Sequence, residues 1–157
     1  MSFTTPNGTY GAPQPSAEQM HSLNQANIAT LRQGQTVMDM RALVLITTGR
    51  KSGQRRESPV AYFPLPDGSW LIVASAAGAA KHPAWYFNLA AHPDQVRIVL
   101  DGKEFGVAAE ELHGAERDAH WRQIAAESPG FAQYERATDR VIPVIRLTRR
   151  QESPGAR

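Results

Sequence analysis

A polar segment rich in cations, Gly49-Arg-Lys-Ser-Gly-Gln-Arg-Arg56, is the first pattern that could do chemistry. From Arg41 to Arg56 the chain has five cations and no acid. Glycines let backbone N–H groups turn toward a ligand, and the arginine, lysine and serine side chains add charge-assisted donors for a phosphate or carboxylate. A solvent-exposed hairpin turn explains the same charges, because exposed cations contribute little to stability. The segment therefore predicts either an anion site or a solvated basic turn.

Small side chains make up a second segment, Ala74-Ser-Ala-Ala-Gly-Ala-Ala80. Side chains of this size let a flat ligand lie close to the backbone, which can then bond to ring carbonyl and ring N–H groups. A tight connection that packs against the following helix explains the segment equally well.

A third segment, Pro83-Ala-Trp-Tyr-Phe-Asn-Leu89, combines aromatic residues with one asparagine. Helical spacing brings Trp85 close to Asn88 and Leu89. Aromatic residues at this density are more typical of a core than of a cofactor site, but a buried asparagine must find hydrogen-bond partners. The chain has no cysteine, and its five histidines lack metal-ligand spacing, so we predict no metal site and no catalytic triad.

Apolar runs and turn residues place these segments on a predicted fold. Three strands at hairpin spacing predict an antiparallel meander rather than βαβ units. The predicted strands cover 42–48, 59–63, 69–75, 96–100, 105–112 and 141–147. Predicted helices begin at Ser16, Pro83, Ala115 and Phe131. We therefore expect a mainly β, α+β fold in which an antiparallel sheet closes as a small barrel flanked by helices.

Length and composition are those of one ordinary globular domain, with 157 residues, 41% hydrophobic and 20% charged. The predicted organisation is a mobile N-terminal arm (1–15), an N-terminal helix (16–37), a barrel domain (38–150) and a flexible tail (151–157). We expect no membrane span and no secretory signal, hence a cytoplasmic protein. No aromatic residue lies among the cations of 41–56, so we expect no nucleic-acid partner.

Five segments, taken in order, resemble the deazaflavin-dependent nitroreductase family, whose members are also described as quinone reductases that use coenzyme F420. The resemblance runs from about Leu43 to Leu147. The five matching segments are, first, Thr47-Thr-Gly-Arg-Lys-Ser-Gly-Gln-x-Arg56; second, Pro59; third, Val73-Ala-Ser75 with Gly78-Ala79; fourth, Pro83-x-Trp85-Tyr-x-Asn88-Leu89; and fifth, Asp139-Arg140-x-Ile142-Pro143.

This resemblance implies a split β-barrel, akin to flavin-reductase and FMN-binding barrels, that transfers a hydride from reduced coenzyme F420 to a quinone, nitroaromatic or activated enone. By matching positions, the phosphate and the start of the oligoglutamate tail are held by Arg50, Lys51, Ser52 and Arg56. The ring system is framed by Pro59, Val60, Ala61, Val73, Ala74, Ser75 and Ala76, and is closed by Ala84, Trp85 and Asn88. The substrate segment contains Ser128, Phe131 and Tyr134, and the proton donors among nearby hydroxyls are Tyr134 and Ser75.

Two other functions remain open at the level of sequence. One is an FMN-dependent reductase on the same barrel, with one phosphate on the 50–56 loop. The other is a non-catalytic protein that carries deazaflavin. The expected partner is a small-molecule electron acceptor, and the resemblance is compatible with a homodimer and with peripheral membrane contact, although the uncharged arm offers no cations to anionic lipid.

Overall fold

A computed structural model of the chain describes residues 3–14, 16–36 and 41–150. The parts of the predicted arm, helix and barrel regions that cover 1–2, 15 and 37–40, and the whole predicted tail 151–157, lie outside the described residues. The helices are α1 (Ala17–Arg32), α2 (Ala84–Ala91), α3 (Gly114–Glu127) and α4 (Pro129–Ala137), with a short 3-10 turn at Ala76–Gly78. The strands are β1 (Ala42–Thr48), β2 (Arg55–Pro64), β3 (Trp70–Val73), β4 (Val96–Leu100), β5 (Lys103–Glu111) and β6 (Val144–Arg149).

The six strands form a closed antiparallel barrel in the order β1-β2-β3-β6-β5-β4, with β4 returning to β1. The predicted meander is confirmed, because β1 pairs with β2 and β2 with β3. The predicted class, mainly β with flanking helices, is confirmed as well. Of the helices in the described residues, none is both long and apolar enough to cross a bilayer.

The starts of β2 and β6 differ most from the sequence prediction, and both differences have identifiable reasons. Strand β2 begins at Arg55, four residues early, because Arg55 to Ser58 pair with Thr48 to Leu45 across the hairpin. Strand β6 begins at Val144 rather than Val141. Proline lacks a backbone donor, so Pro143 lies just before the ladder and only accepts, from the Ala74 N–H at 3.0 Å.

The apolar run of β1 is buried on both faces. Leu43 and Leu45 point into the barrel, where they pack with α2 residues such as Leu89. Val44 and Ile46 point outward and pack beneath α1. A strand covered on both sides carries apolar residues continuously instead of alternating them, which explains why it gave the best strand signal in the sequence.

A third cluster covers the outer face of β3 and β6. Leu71, Val73 and Val144 pack against Trp121 of α3 and Phe131 of α4. Full burial of such a side chain contributes about 1.5–3 kcal/mol. Helices α3 and α4 are thereby fixed beside the strand that leads into the small-residue segment.

The N-terminal residues 3–14 run along the barrel and hydrogen-bond to it. The Thr5 hydroxyl donates to the buried Glu111 carboxylate at 2.6 Å, and the Gly8 N–H donates to the Ala80 carbonyl at 2.7 Å. Farther along, the Thr9 hydroxyl and N–H both donate to Asp139. These hydrogen bonds position residues 3–14 on the barrel. The mobility expected for the arm stays a prediction.

Candidate functional site

The basic segment covers the connection between β1 and β2 (49–54) and the first two residues of β2, and residues 49–56 together are the basic loop. Its ends are closed by the Gly49 N–H, which donates to the Gln54 carbonyl at 2.8 Å, and by the Gly53 N–H, which donates to the Gly49 carbonyl at 2.9 Å. Gly53 has φ +70°, a left-handed conformation that other residues adopt only at a cost. The result is a tight loop with its long side chains outside.

Asn88 ties this loop to α2. Its Nδ2 donates to the Thr47 hydroxyl at 3.1 Å, and its Oδ1 accepts from the Arg50 N–H at 3.0 Å. The side chain is buried, and both ends of its amide find hydrogen-bond partners, as the sequence argument required. Asn88 also lines a cavity, but its two hydrogen bonds position the loop.

The four cations of the loop are not equivalent. Arg55 forms ion pairs with Glu104 at 2.8 Å and Glu57 at 3.1 Å, and the hydrogen bond to Glu104 is the main cause that raises the pKa of Arg55. Among residues 3–14, 16–36 and 41–150, no carboxylate forms an ion pair with the exposed side chains of Arg50, Lys51 or Arg56. Three uncompensated positive charges therefore lie on one loop, and the fourth is neutralised.

A first cavity, of about 750 Å³, adjoins these charges. It is lined by His21, Gln25, Gly49, Arg50, Lys51, Ser52, Arg55, Arg56, Glu57, Ser58, Ala84, Trp85 and Asn88. All four residues that the resemblance assigns to the phosphate and tail lie here.

A second cavity, of about 580 Å³, shares Ser58, Ala84 and Trp85 with the first. Its other lining residues are Gln14, Met20, Asn24, Pro59, Val60, Ala61, Val73, Ser75, Ala76, Ala77, Ala79, Lys81, His82, Pro83 and Phe131. Every residue assigned to the ring system lines the first or second cavity, except Ala74, which is fully buried behind it.

A third cavity, of about 500 Å³, adjoins the second through Ala61 and Phe131. Ser128 and Phe131, two of the three predicted substrate residues, line it, together with Arg41, Tyr62 and Glu127. Tyr134 lines none of the three cavities. Its ring packs edge-on against Phe131, with 5.7 Å between the ring centres.

The small-residue segment follows β3 as a turn with unusual backbone. Ala76 and Ala77 have φ of 46° and 51°, and Gly78 follows at 81°. The left-handed region costs a non-glycine residue about 1–2 kcal/mol. A Cβ on Gly78 would lie 3.2 Å from the Tyr134 carbonyl oxygen, so a larger residue there would press against α4.

Arg140 holds this turn from behind, although the sequence analysis quoted it only as part of a matching segment. The guanidinium is 3% exposed and donates to the carbonyls of Ala74 (2.7 Å), Ser75 (2.6 Å) and Ala79 (2.9 Å). It also donates to Nδ1 of His82 at 2.8 Å. Burial lowers the pKa of Arg140 to about 10.

His82 is in its neutral form with the proton on Nε2. Arg140 can only donate to Nδ1, and the Thr5 carbonyl can only accept from Nε2, at 2.7 Å. Burial is the main cause that lowers the pKa of His82. Both ring nitrogens of His82 are thus hydrogen-bonded inside the protein.

Helix α1 and the end of the arm contribute lining residues that sequence reasoning missed. Met20 and Asn24 line the second cavity, and His21 and Gln25 line the first. The sequence predicted that a helix begins at Ser16, where the structure has a capping box with Gln19, but it did not predict which elements the helix faces. A buried arginine such as Arg140 has no spacing signal at all, since its partners are backbone carbonyls.

Comparisons with known proteins show the family of this chain. A family model for F420H(2)-dependent quinone reductases matches residues 18–149. An F420H(2)-dependent quinone reductase of Mycobacterium tuberculosis is 41% identical over 112 residues, which cover 69% of this chain and 74% of that protein. A solved structure of an F420-H2-dependent reductase is 38% identical with a TM-score of 0.61, covering 71% of this chain and 96% of that chain. Another solved structure, described only as a domain-swapped dimer, is 34% identical with a TM-score of 0.62, covering 83% of this chain and 93% of that chain.

Proposed function

This chain belongs to the F420H(2)-dependent quinone reductase family, and we propose that it transfers a hydride from reduced coenzyme F420 to a quinone. The observation that carries the proposal is a cluster of three uncompensated cations on a cavity that continues along a turn of small residues. A coenzyme with an anionic tail and a flat ring system needs both features in one continuous space. Nitroaromatic and activated enone compounds are further acceptors of the same electron-poor class.

The donor set of the first cavity fits the anionic part of the coenzyme. Arg50, Lys51 and Arg56 supply charge, and Ser52 supplies a hydroxyl, all within one loop. Guanidinium groups bind phosphate and carboxylate in a bidentate manner, which suits a phosphate followed by glutamates. Asn88 supports this assignment indirectly, because it fixes the backbone at Arg50.

The second cavity fits a flat ring system. The ring-facing residues that we propose are Pro59, Val60, Ala61, Val73, Ser75, Ala76, Ala84 and Trp85. Most of these side chains are small, and Trp85 offers a broad apolar surface that also borders the first cavity. Ala74 supports the cavity from within, since its carbonyl is bound to Arg140.

The acceptor, in our proposal, occupies the region where the second and third cavities adjoin, beside Phe131 and Ser128. The bound deazaflavin supplies the hydride, and the protein holds the acceptor beside it and limits access of water. Ser75 lines the second cavity and offers a hydroxyl that can give a proton to the reduced acceptor. Tyr134 is the second proposed donor, and it needs to turn from its contact with Phe131 to act.

We also propose that the protein forms a homodimer. A similar solved structure is described as a domain-swapped dimer, which supports pairing in this fold. Size-exclusion chromatography with light scattering gives the mass directly, and a monomer at all concentrations contradicts the proposal. The expected cytoplasmic location stays a prediction.

A binding titration tests the proposed coenzyme. Oxidised coenzyme F420 and FMN are titrated separately into the protein, and the fluorescence of Trp85 and the other tryptophans is followed. We expect saturable quenching by F420 and none by FMN. If only FMN quenches the fluorescence, the result supports the FMN-dependent reductase instead.

A turnover assay then separates an enzyme from a carrier. Menadione reduction is followed with reduced F420, with and without protein. We expect a rate that is proportional to protein concentration. Tight binding of F420 without any increase in this rate supports the non-catalytic carrier instead.

A further inference from the structure

Arg140 has an unusual set of partners for a buried arginine. Within the described part of the chain no carboxylate pairs with it, and its three guanidinium nitrogens donate instead to carbonyl oxygens of Ala74, Ser75 and Ala79 and to His82. A buried charge is costly unless it is fully hydrogen-bonded. The guanidinium therefore satisfies its donors mainly by hydrogen bonds to the carbonyl oxygens of a single turn.

This turn is the wall of the proposed ring cavity. Ser75, Ala76, Ala77 and Ala79 line that cavity, and two of them are alanines in the left-handed region. An isolated segment of this sequence would relax to less strained backbone, because alanine gains nothing from a positive φ. The bonds from Arg140 flank the two strained residues on both sides, at Ser75 and at Ala79, and so hold the turn in its observed shape.

With the carbonyls turned inward, the amide N–H groups of the turn have few partners. Those of Ser75, Ala76 and Ala77 donate to no atom of residues 3–14, 16–36 and 41–150, whereas those of Gly78 and Ala79 bond within the turn. Ser75 is in the right-handed helical region and Ala76 has positive φ. Successive N–H groups in this right-then-left-handed conformation converge on a negative or electron-rich atom.

We propose that Arg140 is a positioning residue for the reduction: it holds the 74–79 turn so that the amides of Ser75, Ala76 and Ala77 donate to an electron-rich carbonyl oxygen in the cavity. The proposal rests on the proposed function, because that oxygen belongs either to the deazaflavin ring or to the quinone. His82 supports Arg140 from the other side, and through Thr5 it connects the turn to the N-terminal arm.

Three variants test this role. Arg140→Ala removes the guanidinium, Arg140→Lys keeps a buried cation but cannot reach three separate carbonyls, and Arg117→Ala is the matched control. Arg117 is also a buried arginine that donates to a carbonyl, that of Ile142 at 2.7 Å, but it lines none of the three cavities. For each variant we measure the melting temperature, the Kd of oxidised F420, and kcat and KM for menadione.

We expect Arg140→Ala and Arg140→Lys to lower kcat/KM by roughly 10–100-fold, since a displacement of about 1 Å in a site can cost about 100-fold. Guanidinium chloride at millimolar concentration is expected to restore part of the activity of Arg140→Ala. If the Arg140 variants raise the Kd of F420, the carbonyl oxygen bound by the turn belongs to the coenzyme. If they raise the KM for menadione and leave the Kd of F420 unchanged, that oxygen belongs to the quinone. Arg117→Ala is expected to lose stability but keep kcat/KM.

The proposal is overturned if Arg140→Lys keeps the wild-type kcat/KM, Kd and KM, or if added guanidinium raises the melting temperature of Arg140→Ala without raising its activity. It is also overturned if Arg117→Ala loses activity to the same extent. Failure of the proposed function looks different, because the unaltered protein then fails to reduce menadione with F420H2. The Kd of F420 and its change in Arg140→Lys remain measurable in that case.

Discussion

Replacing Asn88 by alanine separates the structural role of this residue from direct contact with the coenzyme. The change removes the bond to the Thr47 hydroxyl and the bond from the Arg50 N–H. Each hydrogen bond contributes about 1 kcal/mol, and a buried partner left unsatisfied costs about 1–3 kcal/mol. Thr47 is only 3% exposed, so its hydroxyl loses a partner that water cannot easily replace. We therefore expect the free energy of unfolding to fall by roughly 2–4 kcal/mol.

Urea unfolding followed by circular dichroism measures this loss, and tryptophan quenching measures the binding of F420 to the same variant. Thr47→Val is the matched control, because it removes one of the two bonds and leaves Arg50 in place. We expect Thr47→Val to cost about half as much stability and to keep coenzyme binding, whereas Asn88→Ala weakens binding about tenfold by releasing the loop. A variant Asn88→Ala with unchanged stability and abolished binding would refute the reasoning, since Asn88 would then be a direct ligand only.

Three further predictions concern charge, hydroxyl and pH. Arg56→Ala is expected to weaken F420 binding about tenfold, and the loss is expected to be larger for longer glutamate tails and at low salt. Arg55→Ala is the control and is expected to change binding little, because Glu104 and Glu57 already neutralise the charge of Arg55. Equal losses of affinity for the two variants in fluorescence titrations contradict this prediction. Tyr134→Phe is expected to lower kcat for menadione more than it changes the Kd of F420, and an unchanged kcat removes Tyr134 from the mechanism. Stability is expected to decrease as the pH falls below about 6.5, and His82→Gln is expected to flatten this dependence in urea melts between pH 5 and 7.5.

The direction of the pH effect follows from the lowered pKa of His82. The unfolded chain binds a proton near the ordinary histidine pKa, whereas the folded protein resists protonation because the imidazole is buried and Nδ1 accepts from Arg140. The stability contributed by neutral His82 is thus complete above the unfolded pKa and is lost as the pH falls through the folded one. Glu111 lies near enough to oppose this shift, so the effect is smaller than burial alone would give. If the slope of the unfolding free energy against pH is the same in His82→Gln as in the unaltered protein, other groups cause the pH dependence.

The sequence predicted the barrel well because each signal there is local. The apolar run of β1, the turn at Asp67-Gly68 and the hairpin at Asp101-Gly102 need no knowledge of distant partners. The same holds for the basic loop, whose glycines and cations are adjacent in the chain. What sequence reasoning could not supply are contacts between distant segments. Glu104, which neutralises Arg55, lies 49 residues away, and Arg140 lies more than 60 residues from the turn that it holds.

The N-terminal contributions to the site were missed for a related reason. Met20 and His21 face cavities that are formed by other elements, and a thin amphipathic stripe does not identify its partner. For the site residues themselves, the resemblance of five ordered segments gave more than any one pattern. Each pattern alone had an equally good structural explanation.

The order of strands in the barrel also has a consequence for biosynthesis. Strand β3, which leads into the cavity wall, pairs on one side with β6, so that Trp70 faces Leu147 across the ladder. The wall is therefore completed by residues that are synthesised well after the wall segment itself. A nascent chain that has emerged only as far as β5 contains the basic loop and the small residues but lacks both Arg140 and the closing strand. A chain that lacks β6 is therefore expected to lack a formed cavity wall, and with it the proposed coenzyme site.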